Sequence, residues 1–304
     1  MFGCLFALVV LAVLAAPLYA SQVAHTTPSE NHLTDQIVID GVRTNVVSLE
    51  GIPIGPTWRA SYLLGADENG RDLAVRLLYG ARTTLLIGGG AVLLTLLLSV
   101  PLALAAGYLG GRTDALISRL LDLLWSFPAL LLGVLLSTAI SVNGAQIGPV
   151  TIASGSKSIP LFVIGLVYVP YMTRPLRGQV MALRGQPFVE AARASGMRPV
   201  RLMVSELLPH LGATIIVVST LLFVNAVVLE AALSFLGAGV SPPEPSLGVL
   251  IAAGLNDTVL SPHLLLAPSI ALIVIVLSLS GLAEGLRRAL DPRGAIHLGP
   301  GREP

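Results

Sequence analysis

Few residues in this chain are of types that do chemistry, and their spacing excludes the usual reactions. Gly155-Ser156-Lys157-Ser158 carries the lysine and serine of a phosphate-binding loop but lacks the glycine required directly before the lysine. Cys4 is the single cysteine, so the chain has no internal disulfide and no cysteine-based metal cluster. No zincin spacing, serine-nucleophile elbow or Cys/His ligand set occurs in the sequence. What remains are acids in apolar surroundings. Glu230 falls about midway along an apolar run, Asp122 follows Arg119 at a spacing that allows a helical ion pair, and Glu284 has Arg287 and Arg288 just beyond it. A charge at the centre of a membrane helix costs about 2.5–3.5 kcal/mol on insertion scales, so each acid needs a partner or a wet cavity. For Glu230 two readings stand: a hydrogen bond to Asn225 or a neighbouring helix, or a place on an aqueous path.

The elements that must hold these acids are membrane helices. Of 304 residues, 54% are hydrophobic and 12% charged, and the mean hydropathy is +0.83. A soluble domain carries roughly twice that charged fraction. The net charge of +1 offers no basic field for nucleic acid. Six stretches approach the roughly 20 apolar residues that cross about 30 Å of hydrocarbon: 2–20, 83–107, 115–141, 159–180, 211–236 and 263–286. The expected fold is therefore all-α and integral to the membrane, with about six spans. Pro128 interrupts the third stretch, and Pro170 and Pro175 the fourth. Such breaks are tolerated where neighbours satisfy the freed carbonyls. Gly88-Gly89-Gly90 inside the second stretch permits close helix contact. The first stretch lacks the basic start of a signal peptide and reads as a retained anchor.

Arginine sets the expected orientation. Arg174, Arg177, Arg184, Arg193, Arg198 and Arg201, then Arg287, Arg288, Arg293 and Arg302, then Arg112 and Arg119, fall on one side of a six-span bundle. The positive-inside rule makes that side cytoplasmic. The expected organisation is a first span over 1–20, an external loop over 21–82, a core over 83–286 with a cytoplasmic loop at 181–210, and a tail over 287–304. Within the external loop, Ile37 to Arg43 alternates around Asp40-Gly41, a hairpin signal. Outside the fifth stretch, 246–255 reads as a short external helix.

The loop at 181–210 is the most informative segment. Pro187 suits a first helical position, Glu190 favours the positive end of the helix dipole, and Gly196 with Pro199 closes the helix. A stiff helix faced with Ala191 and Ala192 results, with Phe188 as an anchor and small residues that admit close approach by another protein. Lying flat on lipid headgroups is the alternative. A second short helix is expected to run to Pro209 with Val200, Met203, Val204 and Leu207 on one face.

Glu190-Ala191-Ala192, Gly196 and Leu208-Pro209 resemble the EAA motif of binding-protein-dependent ABC importer permeases; Glu206 stands where the family has isoleucine. Leu64-Gly65-Ala66-Asp67-Glu68-Asn69-Gly70-Arg71-Asp72 is similar to a signature of the dipeptide, oligopeptide and nickel group. The segments 78–82, Gly107-Tyr108, Phe127-Pro128, 177–179, 233–237 and 290–293 fit the same group in order, and point to the C-type permease of the pair. The resemblance implies a type I importer permease in the bacterial cytoplasmic membrane. Its implied partners are a homologous second permease, two cytoplasmic ATPases that hydrolyse the ATP, an extracytoplasmic substrate-binding protein and membrane lipid. No cofactor, metal or catalytic residue is implied. Phe188, Glu190, Ala191, Ala192, Gly196, Leu208 and Pro209 are the implied ATPase-coupling residues, with Glu230 and Asn225 as candidates for the translocation path. The rival reading is an ion-coupled secondary transporter using Glu230.

Overall fold

The computed structural model describes residues 2–39, 41–147, 150–152, 156–256 and 258–290. The chain opens with α1 (Phe2–Leu14) and α2 (Ala16–Tyr19), which continues as a π-helical turn to Ala24. The two legs meet at 46° beside Pro17, which cannot donate to the preceding turn. A hairpin follows, β1 (Gln36–Ile39) with β2 (Val42–Asn45), its register Ile39↔Val42 closed at Gly41 with φ 84°. The hairpin expectation is thus met, and Gly41 supplies the positive φ that a two-residue loop demands.

The central element is α3 (Leu73–Leu109), a single helix of 37 residues. At 1.5 Å per residue it is about 55 Å long, against about 30 Å of hydrocarbon. It starts ten residues before the span expected at Thr83, so part of the segment read as loop is helix standing clear of the bilayer. Asp72 sets that start: its carboxylate accepts from the N–H groups of Ala74 and Val75 at 2.9 and 3.2 Å.

After α3 come α4 (Gly111–Trp125) and α5 (Ala129–Asn143). The sequence suggested one span here; the structure has two helices at 88°, broken at Ser126-Phe127-Pro128. Pro128 is itself extended, with ψ 131°, and stands as the N-cap of α5, so the chain leaves the old helix and starts a new one instead of kinking through. A small antiparallel pair, β3 (Ala145–Ile147) with β4 (Val150–Ile152), leads to α6 (Ser158–Val167) and α7 (Val169–Arg184). The join at Tyr168 is covered by α3, whose Thr95 and Ser99 hydroxyls donate to the carbonyls of Gly165 and Val169 at 2.8 and 3.1 Å. Both bonds tie the join between α6 and α7 to α3 within the bundle.

The remaining elements are α8 (Pro187–Ala194), α9 (Pro199–Leu202), a π-helical turn from Met203 to Leu207, α10 (Leu208–His210), α11 (Gly212–Phe235), α12 (Leu247–Asn256) and α13 (His263–Leu290). Among the described residues, four helices are long and apolar enough to span alone, α6 with α7 counting as one, and up to six spans result if each bent pair counts as one. The core lies between α3, α6, α7 and α11. Glycine sets the spacing there. A Cβ on Gly107 would stand 2.7 Å from Val180, and one on Gly88 would stand 3.1 Å from Val227. The expected short helix at 246–255 is α12, buried along one face between α11 and α13. The expected tail is split: Arg287 and Arg288 end α13, where both pair with Glu284, and 291–304 lie outside the described residues.

At the end of the bundle where α3 starts, residues 25–72 fold into a cap over Val46, Val47, Tyr62 and Ala66. The signature at 64–72 is its keystone. Asp67 accepts from the N–H groups of Asn69 and Arg71 and pairs with the buried Arg76 at 3.2 Å. Arg76 donates to the carbonyls of Pro28 at 2.8 Å and Pro243 at 3.5 Å, which fixes the cap to the loop before α12. Gly70, at φ +74°, lies against the His32 backbone where a side chain has no room.

Candidate functional site

The opposite, arginine-rich end carries α8. Gln186 is extended and Pro187 occupies the first turn, as a helix start favours. At the other end the N–H of Gly196 donates to Arg193 O at 2.9 Å and that of Met197 to Ala192 O at 3.2 Å. Gly196 itself is left-handed, φ +77°, which closes the helix as its sequence suggests.

One side of α8 is fixed to the bundle and the other is free. Val189 is buried, while Phe188 and Ala192 are half-buried against the core that also receives Leu208. The Phe188 ring stacks on His210 with centroids 4.7 Å apart and planes at 19°. Glu190, Ala191 and Pro209 are exposed, and a Cβ at Gly196 would meet nothing within 4 Å. Phe188 is therefore an anchor toward its own chain, because the ring of His210 already covers it. A second fixing contact is Arg193. Its Nε donates to the Tyr108 hydroxyl of α3 at 3.2 Å, and its guanidinium lies 4.9 Å from the centre of that ring. Neither the Phe188–His210 nor the Arg193–Tyr108 contact is visible in sequence, since no local periodicity links residues so far apart.

Beyond α8 the apolar face expected on the second short helix is not formed as drawn. Leu202 and Leu207 are buried, whereas Val200 and Val204 are exposed. The π-helical turn at 203–207 adds a residue to the repeat, so positions five apart share the inner face. Glu206 stands in that turn; its carboxylate accepts from Ser205, and its carbonyl accepts from His210 Nδ1.

The acids at membrane depth are all engaged. Glu230 is fully buried five residues before the end of α11, nearer the cap than its position in the apolar run implied. Its Oε1 accepts from the Ser234 hydroxyl at 2.7 Å, with the Thr84 and Ser246 hydroxyls beside it. Thr84 also accepts from the N–H of Leu247, so this cluster joins α3, α11 and the start of α12. Asn225 does not reach Glu230: it is exposed on α11, and its Nδ2 donates to Leu221 O at 2.9 Å. Asp122 does not pair with Arg119 but with Arg174 of α7 at 2.6 Å. A second tie, Asp114 with Arg177 at 2.5 Å, bridges the same helices. Two carboxylates on α4 facing two guanidiniums on α7 outcompete the local spacing, because guanidinium–carboxylate pairs across helices can be bidentate. Among the described residues, no group of three histidine, cysteine or acidic side chains could hold a metal ion.

The fold defines a multi-pass helical membrane protein with a short stiff helix held out at its arginine-rich end. Residues 99–295 match the family described as the inner membrane component of binding-protein-dependent transport systems. The chain belongs to that family: it is the multi-pass inner-membrane permease subunit of an ATP-driven importer. Such permeases work with ATPase subunits, which carry the hydrolysis, with substrate-binding proteins and with a second permease. Its similarity to the dipeptide transport system permease protein DppC of Alkalihalophilus pseudofirmus is 36% identity over 239 residues, 79% of this chain and 74% of that one. The di/tripeptide transport system permease protein DppC of Pseudomonas aeruginosa is 36% identical over 78% of this chain and 76% of its own length. The glutathione transport system permease protein GsiD of Pectobacterium atrosepticum is 33% identical over 79% and 74%. Among solved structures, an inward-facing form of the MetNI methionine ABC transporter shares the fold, with a TM-score of 0.54 at 18% identity, covering 71% of this chain and 96% of that one.

Proposed function

We propose that this subunit carries peptides or similar small solutes inward, and that α8 is the lever by which an ATPase subunit moves it. The observation that carries the reading is the two-sidedness of α8: Val189, Phe188 and Arg193 bind it to the bundle, while Glu190 and Ala191 stay exposed. A lever must be rigid, held at one side and bare at the other, so that closure of a motor rotates helices instead of bending a loop. Phe188, Ala192 and Leu208 are the seat; Glu190, Ala191, Gly196 and Pro209 are the contact surface. The arginine-rich end is then cytoplasmic and the cap extracytoplasmic, as the positive-inside rule requires. The peptide relatives support the cargo class, and the receptor supplies its finer choice. Asn225, polar and exposed on α11, is the candidate for the path; Glu230 is helix-to-helix glue.

The test is uptake of a labelled dipeptide by the reconstituted complex with its receptor. Uptake driven by ATP and unchanged when an imposed proton gradient is collapsed is expected, and Glu230→Gln should retain most of it. Uptake that follows the proton gradient without ATP, and is abolished by Glu230→Gln in an intact complex, supports the secondary transporter instead.

A further inference from the structure

Trp58 stands out in the cap because the chain works to expose it. The residue is 76% exposed although the segment around it is tightly hydrogen-bonded. It adopts φ 57°, and Tyr62 four residues on adopts φ 59°; both are left-handed conformations that bulky residues seldom take. Thr57 holds the loop together: its hydroxyl donates to Ser61 O and Tyr62 O at 2.9 Å and accepts from the N–H of Arg59 at 3.2 Å. Arg59 in turn donates to Val38 O of β1 at 3.1 Å. The loop is therefore built, and the indole is held out by it.

Its level relative to the bilayer follows from two neighbours. The hydroxyl of Tyr19, on the outer leg of the first membrane helix, donates to Ala60 O at 3.4 Å, two residues from Trp58. Tyr19 ends α2, at the close of the apolar stretch 2–20 and just before the polar segment that follows, where the chain leaves the hydrocarbon. Tyr79 packs in the same small cluster as Tyr19, around Ala20, Ala24 and Val75, and lies four residues before the apolar run of α3 begins at Thr83. Two helices thus mark the same boundary with tyrosine, at the depth where tyrosine and tryptophan concentrate.

We propose that Trp58 is a membrane foot of the cap, its indole seated at the headgroup level of the leaflet on the cap side. Lipid is the occupant this level selects, and an indole with an apolar body and one N–H donor suits that boundary. The foot holds the cap at a fixed height over the bundle, complementing the Arg76 tie to Pro243. The inference concerns the cap alone and stands whichever way the importer reading falls.

Trp58 and Trp125 are the two tryptophans of the chain, which makes the test direct. The full chain carrying Trp125→Phe is placed in phosphatidylcholine nanodiscs, with ordinary acyl chains or with chains brominated near the headgroup. Its emission should drop about twofold in the brominated lipid, as for an indole at the interface, and resist quenching by acrylamide. As a check on folding, the wild-type chain and Trp58→Phe, both retaining Trp125, should differ by the same quenched component. Emission indifferent to bromine and freely quenched by acrylamide would place Trp58 in water and overturn the proposal. Shielding that arises only on adding the substrate-binding protein or the second permease overturns it equally, because the covering surface is then protein.

Discussion

The two ends of the bundle use polar groups in opposite ways. At the cap end they are turned on the chain itself: Asp72 accepts from three N–H groups, Asp67 accepts from two and pairs with Arg76, and Arg71 donates to Asn31 at 2.7 Å. At the arginine-rich end α8 is fixed through one face, and Glu190, Ala191 and the space above Gly196 remain open. A surface that satisfies its own hydrogen bonds serves as a rigid mount, while one left bare serves a partner. The comparison predicts that substitutions at the cap damage folding, and that those on the bare side of α8 damage coupling and spare folding.

The largest effect on stability is expected at Asp67. Removing it by Asp67→Ala leaves the buried Arg76 guanidinium without its counter-charge, a loss of about 3–5 kcal/mol for a buried pair. The midpoint of thermal unfolding in detergent should fall accordingly, and Asp67→Leu with Arg76→Met should recover much of it. A cap as tolerant as a loop would show little change in either variant.

Asp72 should follow. Asp72→Ala removes the N-cap of α3, worth about 1–2 kcal/mol, together with the bond from the N–H of Tyr62 at 2.7 Å. Burial outweighs its three N–H bonds and raises the Asp72 carboxyl above its ordinary 3.8. The folded cap therefore keeps that proton to higher pH than the unfolded chain does. This part of its stability is full below about 4 and is lost as pH rises through the raised value. Limited proteolysis of the cap against pH should show that slope, and Asp72→Asn should flatten it. Tyr62, pushed up to about 12 chiefly by burial, gives the same sign between 10 and 12.

Smaller still is the Asp122–Arg174 pair, which is largely exposed in the protomer. Breaking it by Asp122→Ala should cost under about 1 kcal/mol. A double-mutant cycle of Asp122 and Arg174 read by thermal unfolding measures the coupling, and a cycle of Asp122 with Arg119 should give none.

What sequence made legible was local. Asp40-Gly41, Pro187, Gly196 and the apolar run at 246–255 each act on their own few residues, and the hairpin, α8, its closing turn and α12, at Leu247–Asn256, lie within a residue of where those signals put them. The EAA pattern was legible for the same reason, because its residues lie on one short helix and the turns after it. What sequence hid was tertiary. Asp122 reaches Arg174 on another helix, the 88° break at Pro128 looks in sequence like an ordinary kink, and the π-helical turn at 203–207 shifts a register that periodicity assumes constant. The first ten residues of α3 were hidden because a helix standing in water against a cap needs no apolar run; the structure shows that Asp72 caps its start.

The central claim is that α8 is the seat of an ATPase subunit, and two substitutions at its bare surface test it. Ala191→Trp fills the space that close docking needs. Gly196→Val strains a residue at φ +77°, at a cost of about 1–2 kcal/mol confined to the turn. The measurement is copurification of the ATPases with the permease pair, together with receptor-stimulated ATP hydrolysis in nanodiscs. The account predicts that both variants insert, pair with the second permease and unfold near the wild-type midpoint, yet lose ATPase association or its stimulation by the receptor. Normal docking and normal stimulation in both variants would contradict it.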